Sequence, residues 1–162
     1  MADTLRLGRL LDTDQLYLES NNNCSSVGGR KMDDVDIWIR VDNLRARADY
    51  LANVPWYSRQ DIELSYLIDG SALERWEEEK RMFSVPFDEE KLYPQFQLSG
   101  GQPIPIIKML LKSLPEDMSS WQIAFWFNAG NSLLNGKAPQ DCLVEEKSVI
   151  RAAAAEALDF IG

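Results

Sequence analysis

Two runs of carboxylates, Glu77-Glu78-Glu79 and Asp88-Glu89-Glu90, are the groups in this chain best equipped for chemistry. Held close together, such groups supply a general acid and a general base, or ligate a hard cation through oxygen. Neither run sits in a glycine-punctuated D-x-D-x-D-G loop, and consecutive acids ordinarily form a solvated face, so both are expected to be surface charge. The chain contains no histidine, which removes Ser-His-Asp and Cys-His nucleophiles and every imidazole acid or base. Cys24 and Cys142 stand far apart with no C-x-x-C pair, so no zinc set can be assembled, and the expectation is one loop thiol and one buried thiol in a reducing cytoplasm. Gly28-Gly29 and Gly100-Gly101 match neither the dinucleotide-binding spacing nor the phosphate loop. The reading is a protein that is not an enzyme and has no cofactor or metal; the one enzyme class that survives is a carboxylate-based hydrolase.

Five tryptophans, Trp38, Trp56, Trp76, Trp121 and Trp126, raise the idea of a base-stacking platform, but they are not interleaved with lysine and arginine. Packing in a core or an interface is the expected use of such rings. The balance of 17 basic against 26 acidic residues gives a net charge of −9, which repels a phosphate backbone and makes DNA an unexpected partner unless a local basic patch supplies the attraction. With 45% apolar and 27% charged residues in 162, the composition is that of a folded globular protein. No basic-then-apolar leader opens the chain, and no apolar run approaches the roughly 18–20 residues of a membrane span, so a cytoplasmic protein without a membrane partner is expected.

The elements that would position these residues are mostly helices. Residues 1–33 hold a short amphipathic run (Leu5, Leu7, Leu10, Leu11, Leu16, Leu18) and then a loop from Asn21 to Gly29 rich in turn-forming residues. From Asp34, Ile37, Val41, Leu44, Ala48 and Leu51 repeat as a helical stripe that Pro55 ends. Ser58 with Asp61 and Ser71 with Glu74 read as capping boxes for helices over about 59–67 and 72–82, the second box the fuller one, separated by Ile68-Asp69-Gly70 in helix-turn-helix spacing. Segments 83–87 and 92–98 read as a two-stranded hairpin or wing whose Pro86 and Pro94 restrict both strands to an edge. Beyond Ser99-Gly100-Gly101, a helix opens at Pro103 to Pro105, Ser119 with Gln122 caps another, Pro139 starts a short one, and the last begins near Glu145, presenting Ile150, Ala153, Ala154, Ala157, Leu158 and Ile161. The expected fold is mainly α: a helical bundle with a helix-turn-helix-like pair and a small hairpin, divided into an N-terminal segment (1–33), a helix-turn-helix-like region with the hairpin (34–98) and a helical domain (99–162).

The segment WQIAFWFNAGNSLLNGKAPQDCLVEEKSVIRAAAAE, from Trp121 to Glu156, resembles the toxin-binding domain of Xre/MbcA/ParS-type bacterial antitoxins. That family carries a tryptophan-containing helix, an asparagine near a leucine, the pattern L-x-G-x-x-P-x-[DE]-x-L and a last helix of the V-x-x-A-A kind. Trp126, Asn131, Leu134, Gly136, Pro139, Asp141, Leu143, Val149, Ala152 and Ala153 occupy those positions. Upstream, the order of the helix pair, Phe83-Ser84-Val85 and Tyr93-Pro94-Gln95-Phe96-Gln97 is similar to members with a winged segment, so the likeness spans roughly residues 55–160. Leu134-Asn135-Gly136 stands where the family often has Leu-Gly-Gly, and the second helix of the pair is more acidic than a DNA-reading helix of the family.

The resemblance implies a protein that neutralises a cognate toxin, typically a RES-domain enzyme acting on NAD, by direct contact. Trp126, Asn131, Leu134, Gly136 and Pro139 would form the contacting region, and Phe160 and Ile161 at the last helix would reach toward the toxin's pocket. A different class of function is a helix-turn-helix regulator that dimerises through its C-terminal half and meets DNA through Arg59, Ser71 and Arg75, aided by a helix N-terminus. A third is an oligomeric scaffold with neither activity.

Overall fold

The computed structural model of the chain describes residues 34–161, with side chains over 39–158. The amphipathic run and loop expected within 1–33 lie outside the described residues. The described residues fall into two compact units that divide between Asn53 and Val54. Mainly helical structure is observed, with six α-helices and small antiparallel sheets among the described residues.

In the first unit, helix α1 runs Asp34–Asn53. Ala48 and Leu51 of the expected stripe are buried, as is Tyr50. Asn53 ends the helix by donating its side-chain amide to the Asp49 carbonyl at 2.7 Å, and Pro55 follows, where a helix cannot continue.

The second unit starts with strand β1, Trp56–Ser58, and helix α2, Arg59–Tyr66. Ser58 and Asp61 form a complete capping box: the Asp61 N–H donates to Ser58 Oγ at 3.1 Å and the Ser58 N–H donates to Asp61 Oδ2 at 2.8 Å. Helix α3 spans Gly70–Glu78, and its cap is Asp69 rather than the expected Ser71. The Asp69 carboxylate accepts from both the Ser71 N–H and the Ser71 hydroxyl, at 3.3 and 2.8 Å. A charged oxygen two residues upstream outcompetes a neutral hydroxyl for the first free N–H groups. The start of α3 therefore moves two residues earlier than the sequence pattern placed it, and the helix ends at 78 rather than 82. Gly70 is not the turn residue either. The left-handed position falls on Leu67, φ 53, while a Cβ at Gly70 would come 1.9 Å from Arg59 Nη2, so Gly70 leaves room for the arginine to cross.

The Ser71 hydrogen bonds, side chain first and backbone second, lower the Asp69 pKa. A carboxyl depressed in the folded state stabilises fully above its unfolded value, about 3.9, and the contribution is lost as pH falls through the folded value. Asp69→Asn is expected to melt below the wild type at pH 6, with the difference in midpoint shrinking steadily as pH falls below about 4. Thermal melts across pH 3–6 check this.

Strands β2 (Val85–Phe87) and β3 (Glu90–Pro94) pair antiparallel around the two-residue turn Asp88-Glu89. The sheet has a third strand, however, in the order β1-β3-β2, so β3 is central rather than an edge. Pro94 is tolerated there for a specific reason. It pairs with Trp56, and the flanking bond from the Gln95 N–H to the Pro55 carbonyl, 2.9 Å, marks that pair as non-hydrogen-bonded. The donor that proline lacks was never needed on the β1 side. On the other side, β2 starts only at Val85, opposite Leu92; two more residues of ladder would set Phe83 against Pro94, which has no N–H to give. The fully buried Gln97 takes that place: its Oε1 accepts from the Phe83 N–H at 2.9 Å and its Nε2 donates to the Phe83 carbonyl at 2.8 Å. Gln97 sits in a single 3-10 turn, Gln95–Gln97, where a continuing strand was expected.

Ile62, Leu73, Trp76, Met82 and Tyr93 pack as one buried cluster beneath α2, α3 and the sheet. A short pairing of β4 (Leu98–Ser99) with β5 (Gln102–Pro103) leads to α4 (Pro105–Ser113), α5 (Ser120–Asn128) and α6 (Glu146–Ile161). Ile106, Ile107, Leu110 and Leu111 are the buried stripe of α4. The Ser119–Gln122 capping box opens α5 as expected. On α6 the buried face is Val149, Ala152 and Ala153, one residue off the expected stripe, and Leu158 and Ala154 face solvent. An alanine run offers almost equal burial to either face, so the position of Val149 decides which face α4 covers. The small side chains of Ala152 and Ala153 are buried where α4 and α6 pack together.

Candidate functional site

The corner between α5 and α6 is built around Asn131. Its side-chain oxygen accepts from the Leu133 N–H at 2.9 Å, capping the 3-10 turn Ser132–Leu134. Its carbonyl accepts from Leu134 and Gly136, and its N–H donates to the Lys137 carbonyl, so every backbone group of this residue is used to close the loop. Asn135 and Gly136 lie at φ 57 and 81. Both are left-handed, a conformation glycine enters freely and asparagine more readily than other side chains. Pro139 is the first residue of the turn Pro139–Cys142, and Gln140 ties that turn to α5 by donating to Asn128 Oδ1 at 3.0 Å.

Beneath this surface the anchors are apolar. Trp126, Leu134, Pro139 and Cys142 are buried, the last matching the expected buried thiol. Trp126 meets Phe127 edge-on at 5.0 Å, and Phe127 stacks on Phe83 at 5.5 Å and touches Phe96 at 5.0 Å. Of the residues nominated from sequence for partner contact, Trp126, Leu134 and Pro139 therefore shape the corner from inside, while Asn131 and Gly136 lie at its surface. The Phe160 and Ile161 side chains lie outside the described residues. The surface itself carries two residues that sequence patterning missed: Leu133, half in solvent, and Val144, 91% exposed. The missed signal is a negative one. Each is an apolar residue next to a motif position, buried Leu134 or half-buried Leu143.

The acids gather elsewhere. A polar cleft of about 590 Å³ is lined by Glu63, Glu74, Glu89 and Glu90 together with Arg59, Lys91 and Tyr93. Arg59 bridges two of the acids, Glu63 at 2.8 Å and Glu74 at 2.9 Å, and Lys91 pairs with Glu77 at 2.5 Å. Burial, then the Glu77 charge and hydrogen bond, push the Tyr93 hydroxyl well above its ordinary range, so it is held neutral. Among the described residues no group of three or more acids and cysteines is arranged to hold a metal ion. Two of the four acids that line the cleft, Glu63 and Glu74, are thus held in ion pairs by Arg59.

The three residues nominated for DNA are differently placed. Arg59 is committed to two carboxylates, and the Ser71 hydroxyl is spent on Asp69. Arg75 is exposed, but it shares the outward stripe of α3 with Glu74 and Glu78, which are exposed too. That face repels phosphate. No helix among the described residues is long and apolar enough to cross a membrane. No protein-family model, curated protein or solved structure matches the chain.

Proposed function

We propose that this chain is an antitoxin-like protein without a catalytic centre, which neutralises a cognate toxin by covering it with the α5–α6 corner. One observation carries the reading: two neighbouring turns, one closed through Asn131 and one by the Glu145 N–H donating to the Cys142 carbonyl, leave Leu133 and Val144 outward in water. An apolar side chain carried on a hydrogen-bonded turn needs little further backbone ordering on docking, which favours a binding hot spot. The resemblance to Xre/MbcA/ParS-type antitoxins supplies the kind of partner, a RES-type toxin in the cytoplasm. In this reading α2, α3 and the β2–β3 hairpin are a helix-turn-helix with its wing whose DNA-facing surface has become anionic, so operator binding is not part of the function.

The test is co-expression with the product of the adjacent gene. Wild type should relieve its toxicity and co-purify with it. Val144→Asp should weaken capture at least tenfold with a thermal midpoint within a degree or two of wild type, because a side chain so exposed contributes little to folding. A neighbour that is neither toxic nor bound defeats the proposal.

A further inference from the structure

We propose a second docking surface, the outward face of α2, whose occupant is a basic amphipathic segment of a partner protein. Ile62 turns one side of α2 into the core, and on the opposite side Leu64 and Leu67 are 70% and 92% exposed. A single exposed leucine is ordinary on a protein surface. Leu67 is not, because it caps the helix at φ 53, where the Cβ of an L-residue crowds the following carbonyl and where glycine or asparagine is the usual occupant. The chain holds a large apolar side chain in water at a position where both burial and backbone conformation favour another residue. Stability does not account for that choice, whereas contact with a partner does.

Charge defines what would cover it. From Arg59 to Arg81 the chain has four basic residues against seven acids; Glu63, Glu74, Glu77 and Glu79 are in ion pairs, while exposed Asp61 and Asp69 lie along the chain on either side of Leu64 and Leu67. An apolar pair bordered by carboxylates complements a stripe of apolar side chains bordered by lysine or arginine. The same field repels nucleic acid and anionic lipid, and it repels a second copy of this chain, itself at −9.

The experiment uses the full chain and a fluorescein-labelled helical peptide of leucine and lysine with one apolar face, followed by anisotropy at physiological salt. Wild type should bind saturably. The double variant Leu64→Gln, Leu67→Asn keeps every charge and should bind at least tenfold more weakly, while its thermal midpoint is equal to or above wild type because the left-handed strain is relieved. Val144→Asp should bind the peptide as wild type does, which separates this surface from the α5–α6 corner. Equal binding by the double variant, no binding by wild type, or loss of wild-type self-association in the double variant on sedimentation overturns the proposal.

Discussion

Replacing Phe127 by alanine is expected to lower the free energy of unfolding by about 3–5 kcal/mol, the usual range for deleting a buried aromatic ring. Phe127 has no exposed surface and meets three aromatic rings: Phe83 in a near-parallel stack at 5.5 Å, Phe96 at 5.0 Å, and the Trp126 edge at 5.0 Å. Those neighbours belong to different parts of the chain, namely the segment entering β2, the 3-10 turn after β3, and α5 itself. A cavity there cannot collapse by moving one side chain, so the cost should fall in the upper part of the range. Phe127→Leu refills much of the space and should cost clearly less. Urea unfolding followed by tryptophan emission measures both, and the slope against urea should be unchanged if only the native core is affected. Trp126 packs on the same ring and sits under the α5–α6 corner, so under the proposed function Phe127→Ala should also weaken partner capture, whereas Val144→Asp should weaken capture alone. A Phe127→Ala variant that unfolds within 1 kcal/mol of wild type, as about the smallest resolvable loss, would mean that this aromatic cluster does not hold the fold.

What could be read from the sequence is mostly what is decided within one helical turn. Ser58 with Asp61 and Ser119 with Gln122 cap as their spacing predicts, Pro105 opens α4, and Gly136 takes a positive φ, because each depends on neighbours within three or four residues. Ser71 with Glu74 has the same spacing and fails, since Asp69 two residues upstream takes the cap and accepts from both the N–H and the hydroxyl of Ser71. Strand β1 left no readable signal: Trp56-Tyr57-Ser58 is too short to show a period of two, and it becomes a strand only because Leu92, Tyr93 and Pro94 arrive beside it. The buried face of α6 was ambiguous for a similar reason, as four consecutive alanines give no preferred direction. At the candidate site the motif positions gather at one corner, and most of them are core. Motif spacing records what the backbone and core require, and exposure of Leu133 and Val144 depends on the assembled surface.

Gln97 is the residue whose importance the sequence conceals most, and Gln97→Leu is expected to cost about 2–6 kcal/mol despite conserving side-chain size. If volume were what mattered, leucine would fit this fully buried site and stabilise it. The amide matters because it stands in for a strand partner. The register would bring Phe83 against Pro94, which cannot donate, and the Gln97 side chain supplies both missing bonds at 2.9 and 2.8 Å. Leucine leaves the Phe83 N–H and carbonyl buried together without partners, at about 1–3 kcal/mol each. Gln97→Glu gives the sharper test. Ionised, the introduced carboxylate can still accept from the Phe83 N–H but faces the Phe83 carbonyl with a lone pair and a buried charge. Protonated, it regains the donor and reproduces the geometry of the amide. Burial raises the pKa of the introduced group above its unfolded value of about 4.3. Its favourable contribution is therefore complete below that value and lost as pH rises through the folded pKa. The Gln97→Glu variant should be strongly destabilised at pH 7 and recover toward wild type as the solution is acidified, while Gln97→Leu stays equally destabilised throughout. Parallel urea titrations of the three proteins at pH 7 and near pH 4.5 decide it: without a selective acid recovery in Gln97→Glu, the pair of hydrogen bonds to Phe83 is not what this site is built for.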